Sequence, residues 1–120
     1  MSSGPLHLHN GGTSVILDFV GSSPRVEYWG TYAGELSAGD LASFVDSQVP
    51  AVPGGGIDEP LIVGIHPAHA AGWFGRPGVE GHRAGGNDWS PSFTHVSIKV
   101  DGPDGRHAKQ GFEAEAATIT

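Results

Sequence analysis

The sequence predicts an all-β fold: an antiparallel β-sandwich with one short helix and long Gly/Pro-rich loops. Three observations predict it. Short apolar runs rich in β-branched residues recur, bounded by turn residues. Glycine (20) and proline (9) make up about a quarter of the 120 residues and punctuate those runs. Only one window carries helical spacing. A chain of this length forms a single domain with one core.

Leu6-His7-Leu8-His9 alternates at period two and stops at Asn10-Gly11-Gly12, a turn signal. Residues 13–20 (TSVILDFV) follow, so the two runs read as a β-hairpin. Gly21-Ser22-Ser23-Pro24 turns the chain again, and Arg25-Val26-Glu27-Tyr28-Trp29 forms a third strand ending at Gly30. Between Ser37 and Ser47 the period changes. Leu36, Leu41, Phe44 and Val45 fall near helical spacing, with Ser37 or Asp40 as the cap, which predicts the one short helix.

Residues 48–93 hold six of the prolines (Pro50, Pro53, Pro60, Pro67, Pro77 and Pro91) and the clusters Gly54-Gly55-Gly56 and Gly85-Gly86. Leu61-Ile62-Val63-Gly64-Ile65 reads as a strand and the rest as loop. Loops this long inside a domain are usually binding loops or interface segments. Two further strands are expected, at residues 94–100 and about 111–120, joined by Asp101-Gly102-Pro103-Asp104-Gly105. The last strand pattern ends with no turn and no return strand, so we expect the front part of a longer β-sheet protein. Its unpaired edge predicts a homo-oligomer.

Composition excludes several functions. A net charge of −7 with six Lys plus Arg opposes nucleic-acid binding and anionic membranes. No cysteine means no disulfide, no thiolate metal site and no cysteine nucleophile. The start lacks the basic and apolar regions of a signal peptide, and no apolar run reaches spanning length, so a cytoplasmic location is expected.

Catalytic motifs are weak. The histidines number seven. His7 and His9 share one strand face, while His66 and His69 lie near His82 in sequence. Their spacing matches no defined zinc signature, so hydrogen-bonded or surface roles are expected, with no metal and no cofactor. No Gly-x-Ser-x-Gly elbow is present, and Gly54-Gly55-Gly56 lacks the Lys-Ser/Thr of a phosphate loop. Asp58, Glu59, Glu80 and Asp88 are carboxylates in loops, but no spacing singles out an acid–nucleophile pair, and solvated roles account for them better. No catalytic residue is therefore assigned. Tyr28, Trp29 and Tyr32 at a strand end suit a core or an interface. Trp73 and Phe74 suit either contact with a sugar or partner or a minor core beneath the loop.

The loop Gly85-Gly86-Asn87-Asp88-Trp89-Ser90-Pro91-Ser92-Phe93 carries the clearest functional signal. It sets a carboxylate beside an indole. The acid accepts hydrogen bonds from hydroxyls and the ring packs on the apolar face of a pyranose, so Asp88, Trp89 and Trp73 are the candidate substrate-binding residues. In order of features the chain resembles the N-terminal region of bacterial α-galactosidases of glycoside hydrolase family 36. The resemblance rests on the hairpin of residues 7–20, on Glu27-Tyr28-Trp29-Gly30, and on Phe74-Gly75-Arg76-Pro77 with Asn87-Asp88-Trp89. Asn87 stands where the family often has glycine, and Ser90-Pro91 replaces an arginine-containing continuation.

That resemblance implies a galactose-mutarotase-like supersandwich ahead of a (β/α)8 barrel that holds both catalytic aspartates of a retaining mechanism. On this view the isolated chain is inactive. Its partners are an α-galactoside and the barrel domain of the same protein, and Asp88 and Trp89 touch the sugar without cleaving it. The rival expectation is a stand-alone β-sandwich module binding sugar or protein. A small metal-dependent β-barrel enzyme is a third, and it requires bound metal.

Overall fold

A computed structural model describes residues 4–20, 23–52, 54–55, 59–94, 97–102 and 116–119. The elements are β1 (Leu6–Asn10), β2 (Thr13–Asp18), β3 (Arg25–Thr31), α1 (Ala38–Ser47), the 3₁₀ turns His69–Ala71 and Ala84–Gly86, β4 (Ile98–Asp101) and β5 (Ala116–Ile119). The structure is thus mostly strands, with a three-stranded antiparallel sheet in the order β1-β2-β3, a two-stranded β4-β5 ladder and one short helix.

The hairpin forms where the turn chemistry places it. Asn10 pairs with Thr13 across Gly11 and Gly12, whose φ angles of +54° and +79° suit the type I′ turn that matches strand twist. The third strand runs two residues further than Trp29, because Thr31 pairs with Thr13 and Gly30 with Ser14. Between Ile16 and Leu17 the register shifts, so Ile16 faces Tyr28, Leu17 faces Val26, and Glu27 is the extra residue of a bulge. The Glu27 carboxylate is held there by the Arg25 guanidinium, and both side chains are almost fully buried.

Alternation divides the sheet into two apolar faces. His7, Ser14, Ile16 and Tyr28 share one face. On it Ile16 joins Leu41 and Val45 of α1 in the buried cluster, with Tyr28, Leu36 and Phe44 packed around them. The Tyr28 ring meets Phe44 edge-on at 6.2 Å and donates its hydroxyl to the Thr31 carbonyl. The other face carries Leu6, Leu8, Val15, Leu17, Val26 and Trp29; Leu17 is buried, whereas Trp29 is 74% exposed.

Both expected capping residues act in α1. Ser37 is the N-cap, and its hydroxyl accepts from the Asp40 amide at 3.1 Å. Asp40 is the third helical residue, and its carboxylate accepts from the Ser37 amide at 2.9 Å, completing a capping box. The Ser37 hydroxyl and then its amide hold the Asp40 carboxyl below the ordinary carboxylate range.

Three expected strands change. Residues 61–65 are not a strand. The Ile65 amide reaches the Pro24 carbonyl at 2.8 Å and the His66 amide reaches the Ser23 hydroxyl at 3.1 Å, but no ladder follows. Pro24 has no N–H to return a second bond. Gly64 lies so close to Ser23 that an added Cβ would sit 2.7 Å from the Ser23 carbonyl oxygen. The strand expected at residues 94–100 occupies Ile98–Asp101, and the last strand occupies Ala116–Ile119. The expected turn at residues 103–105 lies outside the described residues, as does Asp58.

A polar seam runs beside the core. His7 is 1% exposed, and its Nε2 lies 2.8 Å from the Ser14 hydroxyl, whose oxygen accepts from the Ala33 amide at 3.1 Å. The His7 Nδ1 is buried with no hydrogen-bond partner among the described residues. Tyr32 stacks on His7 at 6.3 Å and meets His9 at 4.9 Å. Burial first, and the neighbouring His9 second, push the His7 imidazole below its ordinary value.

Two predictions follow from this packing. Leu41→Ala empties the centre of the cluster and is expected to cost about 2–5 kcal/mol by urea denaturation. For His7 the depressed folded-state value means that the unfolded chain binds the proton more readily. Stability is therefore full above about pH 6.5 and falls as pH drops through that value toward the lower folded-state one. His7→Gln is expected to flatten that slope below about pH 6.5 in denaturation curves; an unchanged slope would assign the loss to other groups.

Candidate functional site

The long segment after α1 is held by short-range bonds rather than by a ladder. Its first turn runs through the 3₁₀ turn His69–Ala71. The Ala71 and Trp73 amides donate to the Ala68 carbonyl at 3.0 and 3.3 Å, and the Gly72 amide donates to the His69 carbonyl at 3.0 Å. The Gly78 amide closes a wider loop onto the Pro67 carbonyl at 2.8 Å. Trp73 is half-buried in this turn. Its indole N–H donates to the Arg76 carbonyl at 3.0 Å, and its ring lies against Gly75, where an added Cβ would stand 2.8 Å from it. Phe74, next in the chain, is 97% exposed.

The second turn carries the carboxylate and the other indole. The Arg83 amide donates to the Asn87 carbonyl at 2.7 Å, and the Gly86 amide donates to the Arg83 carbonyl at 3.1 Å. Asn87 adds a side-chain bond to the Ala84 carbonyl at 3.3 Å. The chain reverses through Gly85 (φ +80°) and Gly86 (φ +78°), then Asp88 at φ +53°. Asp88 is the one non-glycine residue in the left-handed region among the described residues. Aspartate and asparagine tolerate that region better than other side chains. The Arg83 Nε approaches the Asp88 carboxylate at 3.3 Å, with both side chains largely in solvent. Such a pair orients the acid and adds little stability.

Trp89 follows with 61% of its surface exposed, and its ring rests on the His69 imidazole with centroids 5.5 Å apart at 54°. The His69 Nδ1 lies 2.8 Å from the Trp73 carbonyl. A carbonyl only accepts, so Nδ1 carries the proton. His69 thereby joins Trp73 to Trp89. Two of the three expected site residues, Asp88 and Trp89, sit side by side on the surface. Trp73 is linked to them through His69, with its N–H already committed to Arg76. Sequence reasoning gave His69 no such role, and its closeness to Trp73 in the chain was the available signal.

The other candidates separate. The His66 amide binds Ser23, and the His82 Nδ1 binds the Arg83 carbonyl at 2.8 Å. Among the described residues no three His, Cys, Asp or Glu side chains converge as a metal site requires. Glu80 pairs with Arg76 on the surface at 3.1 Å. An open cavity of about 190 Å³ lies between the end of the hairpin and the first turn, lined by Val20, Ile62, Val63, His66, Pro67 and Ala71 among others. No helix among the described residues is long and apolar enough to cross a membrane.

No family model, curated protein or solved structure matches the chain.

The left-handed backbone at Asp88 yields a prediction. Asp88→Asn keeps a tolerated side chain and is expected to change stability by less than about 0.5 kcal/mol. Asp88→Val places a β-branched residue at positive φ and is expected to cost about 1–3 kcal/mol. Thermal melts of the two variants check the difference.

Proposed function

We propose that the chain is the N-terminal β-sandwich domain of an α-galactosidase-like glycoside hydrolase, contributing structure, subunit contacts and a sugar-contacting loop. The observation that carries this reading is the pairing of an exposed indole, Trp89, with the Asp88 carboxylate in one hydrogen-bonded turn. The indole offers a flat apolar face to the C–H side of a pyranose, and the carboxylate accepts hydrogen bonds from its hydroxyls. In this reading the sandwich is completed over the second apolar sheet face, where Trp29 and Val26 are exposed. The nucleophile and acid/base aspartates belong to a barrel domain. The role of this chain is orientation of a terminal α-galactoside, which leaves the isolated chain without hydrolytic activity. The open edges of the sheet supply the contacts of a homo-oligomer.

A second reading, a stand-alone binding module for sugar or protein, draws support from Phe74, whose nearly complete exposure suits a partner protein. A reading frame that continues into a barrel with catalytic aspartates favours the first reading.

Titration of the isotope-labelled chain with galactose and melibiose tests the proposal by NMR. Shifts are expected to centre on Asp88 and Trp89, with a dissociation constant on the order of 1 mM, and to weaken in Asp88→Asn. Saturating sugar that leaves both residues unmoved would remove sugar contact from the loop.

A further inference from the structure

The two turns that set the indoles are each closed by bonds of their own. Residues 67–78 are tied by the bonds of Ala68, Pro67 and Arg76, and residues 83–87, just before Trp89, by the bonds of Arg83, Ala84 and Asn87. Among the described residues the ion pairs of the segment, Arg76 with Glu80 and Arg83 with Asp88, also stay inside their own turn. Among the described residues no hydrogen bond or ion pair crosses from one turn to the other. What crosses is the ring pair of His69 and Trp89.

The imidazole is suited to hold that contact. Its own turn fixes the backbone at His69, and the Nδ1–H bond to the Trp73 carbonyl fixes the ring against rotation. A half-buried ring locked in this way is a wall rather than a mobile side chain. Trp89, on a turn rich in glycine, has no comparable restraint of its own among the described residues: no hydrogen bond of its indole N–H is present.

We infer that His69 is a positioning residue for the sugar-contacting loop: it sets the plane of the Trp89 indole and locks it in register with the Trp73 turn. The inference rests on the sugar reading for its purpose and on the ring geometry for its substance. A sugar that stacks on a pre-set indole does not bear the cost of ordering it, and that cost for one large side chain corresponds to about a tenfold change in affinity at most.

The test uses 5-fluorotryptophan in the whole chain, with the Trp89 line assigned by Trp89→Phe, and galactose affinity read in parallel. His69→Ala is expected to move and broaden the Trp89 line while the Trp29 line stays in place, and to weaken galactose binding by about two- to tenfold. His69→Phe, which restores a ring but not the Nδ1–H bond, is expected to recover part of both effects; a structural role alone would not produce that order. An unmoved Trp89 line in His69→Ala overturns the inference. So does a moved line with unchanged galactose affinity. If the wild-type chain binds no galactose, the sugar reading fails, and the fluorine lines alone decide whether His69 positions Trp89.

Discussion

Burial of Ile16 beneath α1 is the constraint on which the rest depends. β2 is the central strand of the meander, so Ile16 has a neighbour on each side and a helix above it. The helix can settle there only if the open amides of its first turn are satisfied, which the Ser37–Asp40 capping box achieves. It also needs a gap on the sheet for Tyr28 to lie flat. Gly30 provides it: an added Cβ there would meet the Tyr28 hydroxyl at 2.8 Å. The bulge at Glu27 then turns Val26 and Arg25 so that an ion pair is buried at the strand's start rather than in the core.

From that anchored sheet the long segment hangs by few bonds. The Pro24 carbonyl and the Ser23 hydroxyl catch residues 65 and 66, and the close approach at Gly64 sets how near the segment comes. Along this segment hydrophobic burial contributes little, since Leu61, Ile65, Phe74, Val79 and Trp89 are all exposed. Backbone conformation does the positioning instead. The left-handed residues Gly72, Gly85, Gly86 and Asp88 reverse the chain, and each reversal is closed by an amide-to-carbonyl bond within a few residues. The exposed ion pairs add direction rather than stability. A surface built in this way displays side chains at a fixed geometry without needing a core beneath them.

Features written in local chemistry were readable from the sequence, and features made by distant contacts were not. Asn10-Gly11-Gly12 specifies its turn through the φ angles that glycine alone adopts freely, and the hairpin followed. The helix was readable because cap and apolar period agree. Residues 61–65 have the composition of a strand, yet a strand exists only through its ladder, and Pro24 ends the edge they would join. The same limit applies to histidine. That His7 is buried against Ser14, seven residues on and across the hairpin, depends on sheet register. That His69 lies under Trp89 depends on how two turns dock, twenty residues apart in sequence. Asp88 beside Trp89 was readable because the two are adjacent; the arginine that orients the acid was not.

The central claim is that residues 66–90 form a built platform whose turns hold the indoles in place, and hydrogen exchange of backbone amides tests it most directly. Slowed exchange is expected at Arg83, Gly86, Gly72 and Gly78, whose amides are bonded, and faster exchange at the unbonded amides between them. Exchange of all four at the rate of an unstructured peptide would contradict the account, because no platform would then exist to present Asp88 and Trp89.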